Sequence, residues 1–210
     1  VRGICTKHGV LLIIDEVICG FGRSGQRFGH QNFGIQPDIV TMAKGITSAY
    51  LPLSATAVRK EIADCFNEPG ENRHFRHVNT FGGHTTACAV ALRNLELMEQ
   101  EELIQHAQVL GTTLREELTF LEDHPHVGEI RHFGFLIGIE LVENKITKEP
   151  LGEEKVLKII GECKDRGLIL GRNGDTVKGF GNILALSPPF STTIDEIHLI
   201  VNILDNIFGE

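Results

Sequence analysis

Residues 11–25 of the 210-residue chain read LLIIDEVICGFGRSG: an apolar run, two acidic residues and a glycine-rich segment. The β-branched and leucine run at 10–14 is typical of a strand covered on both faces, as in a parallel sheet. The segment PDIVTMAKG (37–45) predicts a second short strand, and LSATAVR (53–59) predicts a third. Apolar residues at helical spacing follow between 85 and 121. This order predicts an α/β fold whose first strands lead into a glycine-rich loop.

The glycines at 20, 22 and 25 form a literal G-x-G-x-x-G, which raises the question of a dinucleotide-binding loop. Such a loop needs a helix that begins within the glycines, because the pyrophosphate binds at that helix's N-terminus. Here QRFGHQNFGIQP (26–37) follows instead, without helical periodicity, and no acidic residue lies about 20 positions further on. The sequence therefore favours a tightly folded loop, and NAD binding is the weakest alternative.

Two residues at predicted strand ends indicate where the chemistry lies. Asp15 ends the first strand and Lys44 follows the second, so both are expected at the edge of the sheet where α/β proteins bind ligands. A lysine amine and a carboxylate together suit pyridoxal phosphate: the amine forms a Schiff base with the aldehyde, and the carboxylate pairs with the protonated pyridine nitrogen. On spacing alone, a capping aspartate and a solvated lysine remain the commoner interpretation.

The stretches LLIIDEVICGFGRSG and QPDIVTMAKGITSAYLPLSA (36–55) resemble the signature of the class III (omega) aminotransferases, which are fold-type I pyridoxal phosphate enzymes. The similarity continues in VNTFGGHTTACAVALRNLELME (78–99) and in SPPF (187–190), so it covers essentially the whole chain. Among subfamilies the chain looks closest to omega-amine and taurine:pyruvate-type transaminases. The residues that match in order and distance are Ile13, Ile14, Asp15, Glu16, Gly20, Pro37, Asp38, Lys44 and Gly45.

The resemblance implies a role for individual residues. Lys44 would be the Schiff-base lysine and the acid–base group that moves the proton between the substrate Cα and C4′ of the cofactor. Asp15 would pair with the pyridinium nitrogen and Val17 would pack on the ring face. Ile18 stands where many relatives carry a glutamine near the ring hydroxyl. Thr80 matches the threonine that reaches the cofactor phosphate of the neighbouring subunit, so a homodimer with a shared active site is implied.

Substrate recognition departs from part of the family. Several relatives that hold an α-carboxylate carry an arginine where this chain has Ala185, so that bidentate clamp is missing. Arg172 lies one residue away from the position at which omega-transaminases carry a mobile arginine. That Arg172 is an ordinary solvated arginine of a loop is an equally supported interpretation. The resemblance therefore implies transfer of an amino group from an amine or omega-amino acid to a keto acid, with pyruvate expected, by ping-pong exchange. The alternatives are a lyase or aminomutase on the same fold, or an inactive truncated chain.

The chain is expected to have two parts: residues 1–110 as the C-terminal part of the large cofactor-binding domain, and 111–210 as a small C-terminal α+β domain. The second part is predicted to hold a β-rich stretch at 133–142, a helix at 153–165, strands at 168–170 and 183–186 and a last helix from Thr193. Because family subunits are roughly twice this long and VRGICTKHG opens as if in mid-helix, the N-terminal half is expected to be missing. The chain alone is then expected to bind cofactor poorly.

Composition excludes several other classes. The net charge is −8 and the 20 Lys and Arg residues are scattered, so no basic surface favours nucleic acid or an acidic membrane. No apolar run approaches the roughly 20 residues that span a bilayer, and no signal peptide is visible. The five cysteines are widely spaced and lack a C-x-x-C, which favours reduced, mostly buried thiols in the cytoplasm.

Two further groups of residues are expected to be structural. Glu16 adjoins Asp15, but neighbouring residues on a strand point to opposite faces, so a structural role is predicted for it. The histidines lack supporting cysteines or carboxylates at ligand spacing and are predicted to be surface residues, so no metal is expected. These histidines are His74, His77, His84, His124 and His126.

Overall fold

A computed structural model describes residues 1–69, 73–174 and 177–209. The chain forms two compact units, Val1–Ile104 and Gln105–Glu210. This division and the predicted boundary between residues 110 and 111 both fall inside one helix, α4, which spans Leu103–Glu117. The assignment of the two units to a large and a small domain stays a prediction.

The first unit is built on a three-stranded sheet of order β1-β2-β3. Strands β1 and β2 are parallel, as the sequence predicts, and their register places Asp15 opposite Thr41. Strand β3 is antiparallel to β2, because it follows β2 without an intervening α-helix to carry a crossover. The elements are α1 (Arg2–His8), β1 (Ile13–Asp15), β2 (Ile39–Met42), β3 (Ala55–Val58), α2 (Lys60–Asp64) and α3 (Thr85–Gln100).

The expected burial of the first strand on both faces is not met within the described residues. The run at 10–14 contributes only its end to β1, and the side chain of Ile13 is 59% exposed. Leu11 and Val10 are exposed as well. Leu12 and Ile14 are partly buried, so the described residues cover one face of this stretch in part and leave the other face exposed.

The buried carboxylate of Asp38 connects helix α1 to the strands of this unit. Asp38 accepts hydrogen bonds from the Leu12 amide at 2.7 Å and from the Arg2 guanidinium at 2.7 Å. Arg59 Nε lies 2.9 Å from its other oxygen. The hydrogen bond from Arg2 is the main reason that the pKa of the Asp38 carboxyl lies below its usual value. Since the folded state favours the ionised form, this contribution to stability is present at neutral pH and is lost as acid protonates the carboxyl.

The second unit packs helices on an antiparallel sheet of order β4-β5-β8-β7, with β6 paired to β5. Its core joins the sheet to α4 and to the two helices that follow, and Phe135, Ile139 and Leu184 are among its fully buried side chains. The elements are α4, a 3₁₀ helix (Leu118–Asp123), β4 (Val127–Phe133), β5 (Leu136–Asn144), β6 (Glu149–Pro150), α5 (Glu153–Asp165), β7 (Gly171–Arg172), β8 (Ile183–Leu186) and α6 (Ile194–Phe208).

Several predicted elements of this unit are found where the sequence places them. Helix α5 and strand β8 have the predicted bounds. Thr193 caps α6 in a reciprocal hydrogen-bonded box with Glu196. The strand expected at 168–170 is wrong: the Leu168 amide closes the end of α5 on the Cys163 carbonyl. Pairing with β8 begins only afterwards, in β7.

Helix α4 approaches the turn between β4 and β5 so closely that only glycine fits. A Cβ placed on Gly111 would lie 2.1 Å from the Gly134 carbonyl oxygen, a backbone atom that no rotamer change can move. Gly161 in α5 provides the opposite case, since an added Cβ would meet nothing within 4 Å.

We expect Gly111→Ala to destabilise the second unit by about 1–3 kcal/mol, because the helix must move away from the turn. The matched variant Gly161→Ala should instead stabilise it by about 0.5–1 kcal/mol through its better helix propensity. Thermal unfolding followed by circular dichroism measures both. Equal Tm values for the two variants would contradict this close packing.

The cysteines differ more in burial than the sequence predicts. All five are free, and the expectation of mostly buried thiols is wrong. Cys163 alone is buried among them, Cys65 is exposed, and the other three are partly exposed. Burial raises the pKa of the Cys163 thiol to about 11.

We expect iodoacetamide at pH 8 to alkylate Cys65 and to spare Cys163 in the native protein, because thiolate is the reactive form and is scarce on a buried thiol. Peptide mapping by mass spectrometry gives the extent of labelling at each position. Cys163 should become labelled only under unfolding conditions. Labelling of Cys163 in the native state at the same rate as Cys65 would contradict this prediction, because it would show that the core of the second unit opens readily.

Candidate active site

The carboxylate of Asp15 is held in place at the C-terminal end of β1. The Thr41 hydroxyl donates to Asp15 Oδ1 over 3.1 Å from the facing position on β2. The Val17 amide donates to the same oxygen over 2.9 Å. The carboxylate remains exposed to solvent, so its orientation is fixed while its outer face is open to a ligand.

Glu16, the next residue, has the predicted structural role. Its side chain is 1% exposed and accepts hydrogen bonds from the amides of Gly29 and His30, each at 2.8 Å. His30 Nδ1 lies 2.8 Å from the same carboxylate. Two adjacent carboxylates therefore serve different ends: Asp15 opens to solvent, whereas Glu16 fixes the loop that follows the glycines.

The glycines form a tight loop, and no helix starts within them. A Cβ on Gly20 would lie 2.7 Å from the Glu16 carbonyl oxygen, and Gly22 and Gly25 have φ of 93° and 79°. The first helical turn after them is the 3₁₀ segment Gly29–Phe33. The geometry that a bound pyrophosphate requires is absent from this stretch, in agreement with the rejection of a dinucleotide loop.

Lys44 lies two residues after the end of β2 and has an unusual backbone conformation. Its φ is 44°, in the left-handed region that costs a non-glycine residue on the order of 1–3 kcal/mol. It begins a 3₁₀ turn, Lys44–Ile46. Gly45 lies against Phe21, where a Cβ would be 3.0 Å from the Phe21 Cβ. Neighbouring parts of the unit thus hold the lysine in a strained position, which is a recurrent property of functional residues.

Lys44 lines a cavity of about 690 Å³. Asn79 and Phe81, which flank Thr80 in the sequence, also line it. The cavity is large enough for a cofactor-sized ligand. The remaining lining residues are Ala43, Thr47, Ala49, Leu51, Pro52, Leu53, Ser54, Gly82 and Gly83.

The other predicted site residues are placed less tightly. Val17 is partly buried beside Asp15, whereas the side chain of Ile18 is 57% exposed. Thr80 is exposed on the turn next to the cavity. In the second unit, Arg172 lies in β7 and its guanidinium is 2.8 Å from Glu153 Oε1. Ala185 lies in β8, paired with Gly138 and Gly171.

Sequence reasoning missed two residues that shape this site. Thr41 contacts Asp15 only because of the strand register, which no local pattern reveals. Asn94 on α3 hydrogen-bonds the loop after Lys44, and it did leave a signal. It shares one helical face with the buried residues Ala91 and Met98, so a polar residue interrupts an apolar stripe.

Residues 1–69, 73–174 and 177–209 contain no group of three or more His, Cys, Asp or Glu side chains arranged to bind a metal ion. His84 instead caps α3, its Nδ1 accepting from the Ala87 amide. Within the same described ranges, none of the helices combines the length and apolar character needed to cross a bilayer.

Known proteins resemble the chain over nearly its whole length. The family model "Aminotransferase class-III" matches residues 1–208. The uncharacterized aminotransferase YhxA of Bacillus subtilis is 54% identical over 208 residues, which cover 99% of this chain and 46% of YhxA. The taurine–pyruvate aminotransferase of Bilophila wadsworthia is 41% identical over 99% of this chain and 46% of its own length. The chain thus spans about half the length of these relatives.

Solved structures agree with the sequence comparison. A Bacillus anthracis aminotransferase superimposes with a TM-score of 0.96 at 52% identity, covering 99% of this chain and 46% of that one. An amine transaminase from an uncultivated Pseudomonas species, in its PLP-bound form, gives 0.90 at 40% identity with the same coverage. These neighbours confirm the fold-type I prediction, and they imply pyridoxal phosphate as the cofactor. The chain belongs to the class-III aminotransferase family.

Proposed function

We propose that the protein containing this chain is a pyridoxal phosphate-dependent transaminase. It transfers an amino group from an amine or omega-amino acid to a keto acid, with pyruvate as acceptor, by ping-pong exchange. One observation carries the proposal: Lys44, held in a left-handed conformation after β2, lines a 690 Å³ cavity in the unit whose β1 presents the Asp15 carboxylate.

The residues present suit the cofactor. When bound, pyridoxal phosphate supplies an aldehyde carbon that a lysine amine can hold covalently and a ring that accepts electrons from the attached substrate. Asp15 is anchored through Oδ1. Across the described ranges, no hydrogen bond to its Oδ2 is found, so this oxygen suits a protonated ring nitrogen. Lys44 would hold the aldehyde end of the ring from the cavity lining, and Asp15, which is not one of the described lining residues, would hold the ring nitrogen.

The remaining roles follow from position. The Lys44 amine, on a long flexible stem, holds the cofactor and afterwards moves a proton at the substrate carbon. Val17 would cover one ring face, and Ile18 would lie near the ring hydroxyl without offering a hydrogen bond. Thr80, on the turn beside the cavity, is proposed to bind the cofactor phosphate of the neighbouring subunit.

The choice of donor rests on what surrounds Ala185 and Arg172. Ala185 offers no charged group, so the β8 position provides no clamp for a carboxylate. Arg172 is already paired with Glu153 and must exchange that partner to bind an acidic substrate. A donor whose amine is remote from its acidic group fits these features. The similarity to taurine–pyruvate aminotransferases supports this class and supports pyruvate as acceptor.

A homodimer with a shared active site and a cytoplasmic location complete the proposal. Tyr50, Val78 and Phe81 are more than four-fifths exposed in the first unit, and apolar side chains of this kind suit a subunit interface. The five free thiols suit a reducing compartment.

Borohydride reduction of the cofactor-loaded, full-length protein should label Lys44 and no other lysine, because among the described residues it is the one lysine that lines the proposed cofactor cavity. Peptide mapping locates the label, and Lys44→Arg should abolish it. Lys60→Arg, which changes an exposed lysine paired with Asp64, serves as the matched control.

With a taurine, β-alanine and arylalkyl amine panel, alanine should form from pyruvate in proportion to the donor consumed. Labelling elsewhere, or donor loss without alanine, would overturn the proposal in favour of a different site or a lyase.

Asp15→Asn should reduce kcat about 10²- to 10⁴-fold, in the range of a lost charged group in catalysis, because the neutral amide cannot stabilise a protonated ring nitrogen. The Thr41 hydroxyl can still donate to the amide oxygen, so the fold should be retained. Transaminase assays and circular dichroism measure the two effects. Glu61→Gln, an exposed change in the same unit, is the control. An Asp15→Asn variant with wild-type kcat would exclude the assigned pairing.

A further inference from the structure

The loop that begins at Lys44 has three non-glycine residues in the left-handed region. They are Lys44, Ser48 and Ala49, with φ of 44°, 49° and 63°. Internal backbone hydrogen bonds close only short turns within this loop, such as Ile46 N to Ala43 O at 3.1 Å. Since each of these residues favours another conformation, contacts from outside the loop must hold it.

Asn94 on α3 provides such contacts. Its Nδ2 donates to the Gly45 carbonyl at 2.9 Å and to the Ile46 carbonyl at 3.3 Å. Its Oδ1 accepts from the Ser48 hydroxyl at 2.6 Å. One side chain therefore contacts three of the four residues after the lysine.

The orientation of the amide is fixed by its partners. Turning it by 180° would place Oδ1 against the carbonyl oxygens of Gly45 and Ile46, and it would leave the Ser48 hydroxyl facing an N–H group. The amide is partly buried, in the apolar stripe between Ala91 and Met98. A side-chain amide offers two N–H donors and an acceptor oxygen in one planar group, and these three partners use both kinds of atom.

We infer that Asn94 is a positioning residue for the Lys44 amine. It holds the strained turn after the lysine, and the turn in turn fixes where the lysine stem enters the cavity. The inference rests on the proposed function, because it concerns the same lysine. Asn94 itself does not line the cavity, so its effect passes through the backbone of Gly45 and Ile46.

The decisive variant is Asn94→Asp in the full-length, cofactor-loaded protein. The carboxylate is nearly isosteric and keeps the bond from Ser48, but it faces two carbonyl oxygens and repels them. We expect borohydride trapping at Lys44 to slow about tenfold, since a misplacement of about 1 Å can cost up to 10²-fold. The visible circular dichroism per bound cofactor should also fall, because it reports a fixed ring orientation. Hydrogen exchange should rise in the peptide that covers residues 43–53.

Asn182→Asp is the matched control. Asn182 is more deeply buried than Asn94 and donates to the Leu141 carbonyl at 2.5 Å in the second unit, so the same chemical change should lower Tm there. Its trapping rate and visible circular dichroism should equal those of the wild type. A general loss of stability is thereby separated from a displaced lysine.

The outcomes are distinguishable. A wild type that carries its label at Lys44, together with an Asn94→Asp variant that traps at the wild-type rate, would overturn the inference and leave the proposed function standing. A wild type without label at Lys44 would overturn both. Should Asn94→Asp fail to fold, Ser48→Ala decides, because it removes only one of the three hydrogen bonds. It should lower the trapping rate and the visible circular dichroism per bound cofactor, and unchanged values of both would overturn the inference.

Discussion

The parallel register of β1 and β2 is the constraint on which the site depends. It sets Asp15 opposite Thr41, so that the threonine hydroxyl orients the carboxylate. It also brings the segment after β2, which contains Lys44, to the same end of the sheet. A slip of one residue would turn Asp15 to the other face and bring Glu16 into its place. The Asp38 carboxylate, bound to Arg2 and Arg59, holds the surrounding helix and strand ends and so protects this register.

The pair Asp15–Glu16 shows how alternation along a strand separates two chemically similar groups. The Glu16 carboxylate is buried and satisfied by backbone amides and His30, so its desolvation is compensated by direct hydrogen bonds. Asp15 is left with an open face. A ligand cation at this edge therefore meets one oriented carboxylate rather than two competing ones.

The sequence predicted the features that depend on residues close together in the chain, and it missed those that depend on distant residues. Local signals were sufficient for α5, for the Thr193 cap and for the end of β1 near Asp15, because caps and periodicity act within a few residues. The contact of Thr41 with Asp15 and the antiparallel β3 required knowledge of strand pairing. The extra strand expected at 168–170 failed because its residues instead complete the end of α5. The resemblance predicts a role for Lys44, but not the conformation in which it is held.

That conformation explains why the residues around the lysine are as they are. A left-handed lysine is unfavourable by itself, so the surrounding fold must supply the energy that keeps it there. Gly45 allows Phe21 to approach, the buried Thr47 hydroxyl donates to the Leu51 carbonyl at 2.6 Å, and Asn94 bonds the turn from the helix side. Each contact fixes backbone rather than the amine, so the lysine side chain would remain free to hold a cofactor and to reach a substrate proton, as the proposed function requires. A rigid turn that carries a mobile side chain would meet both demands of the proposed chemistry.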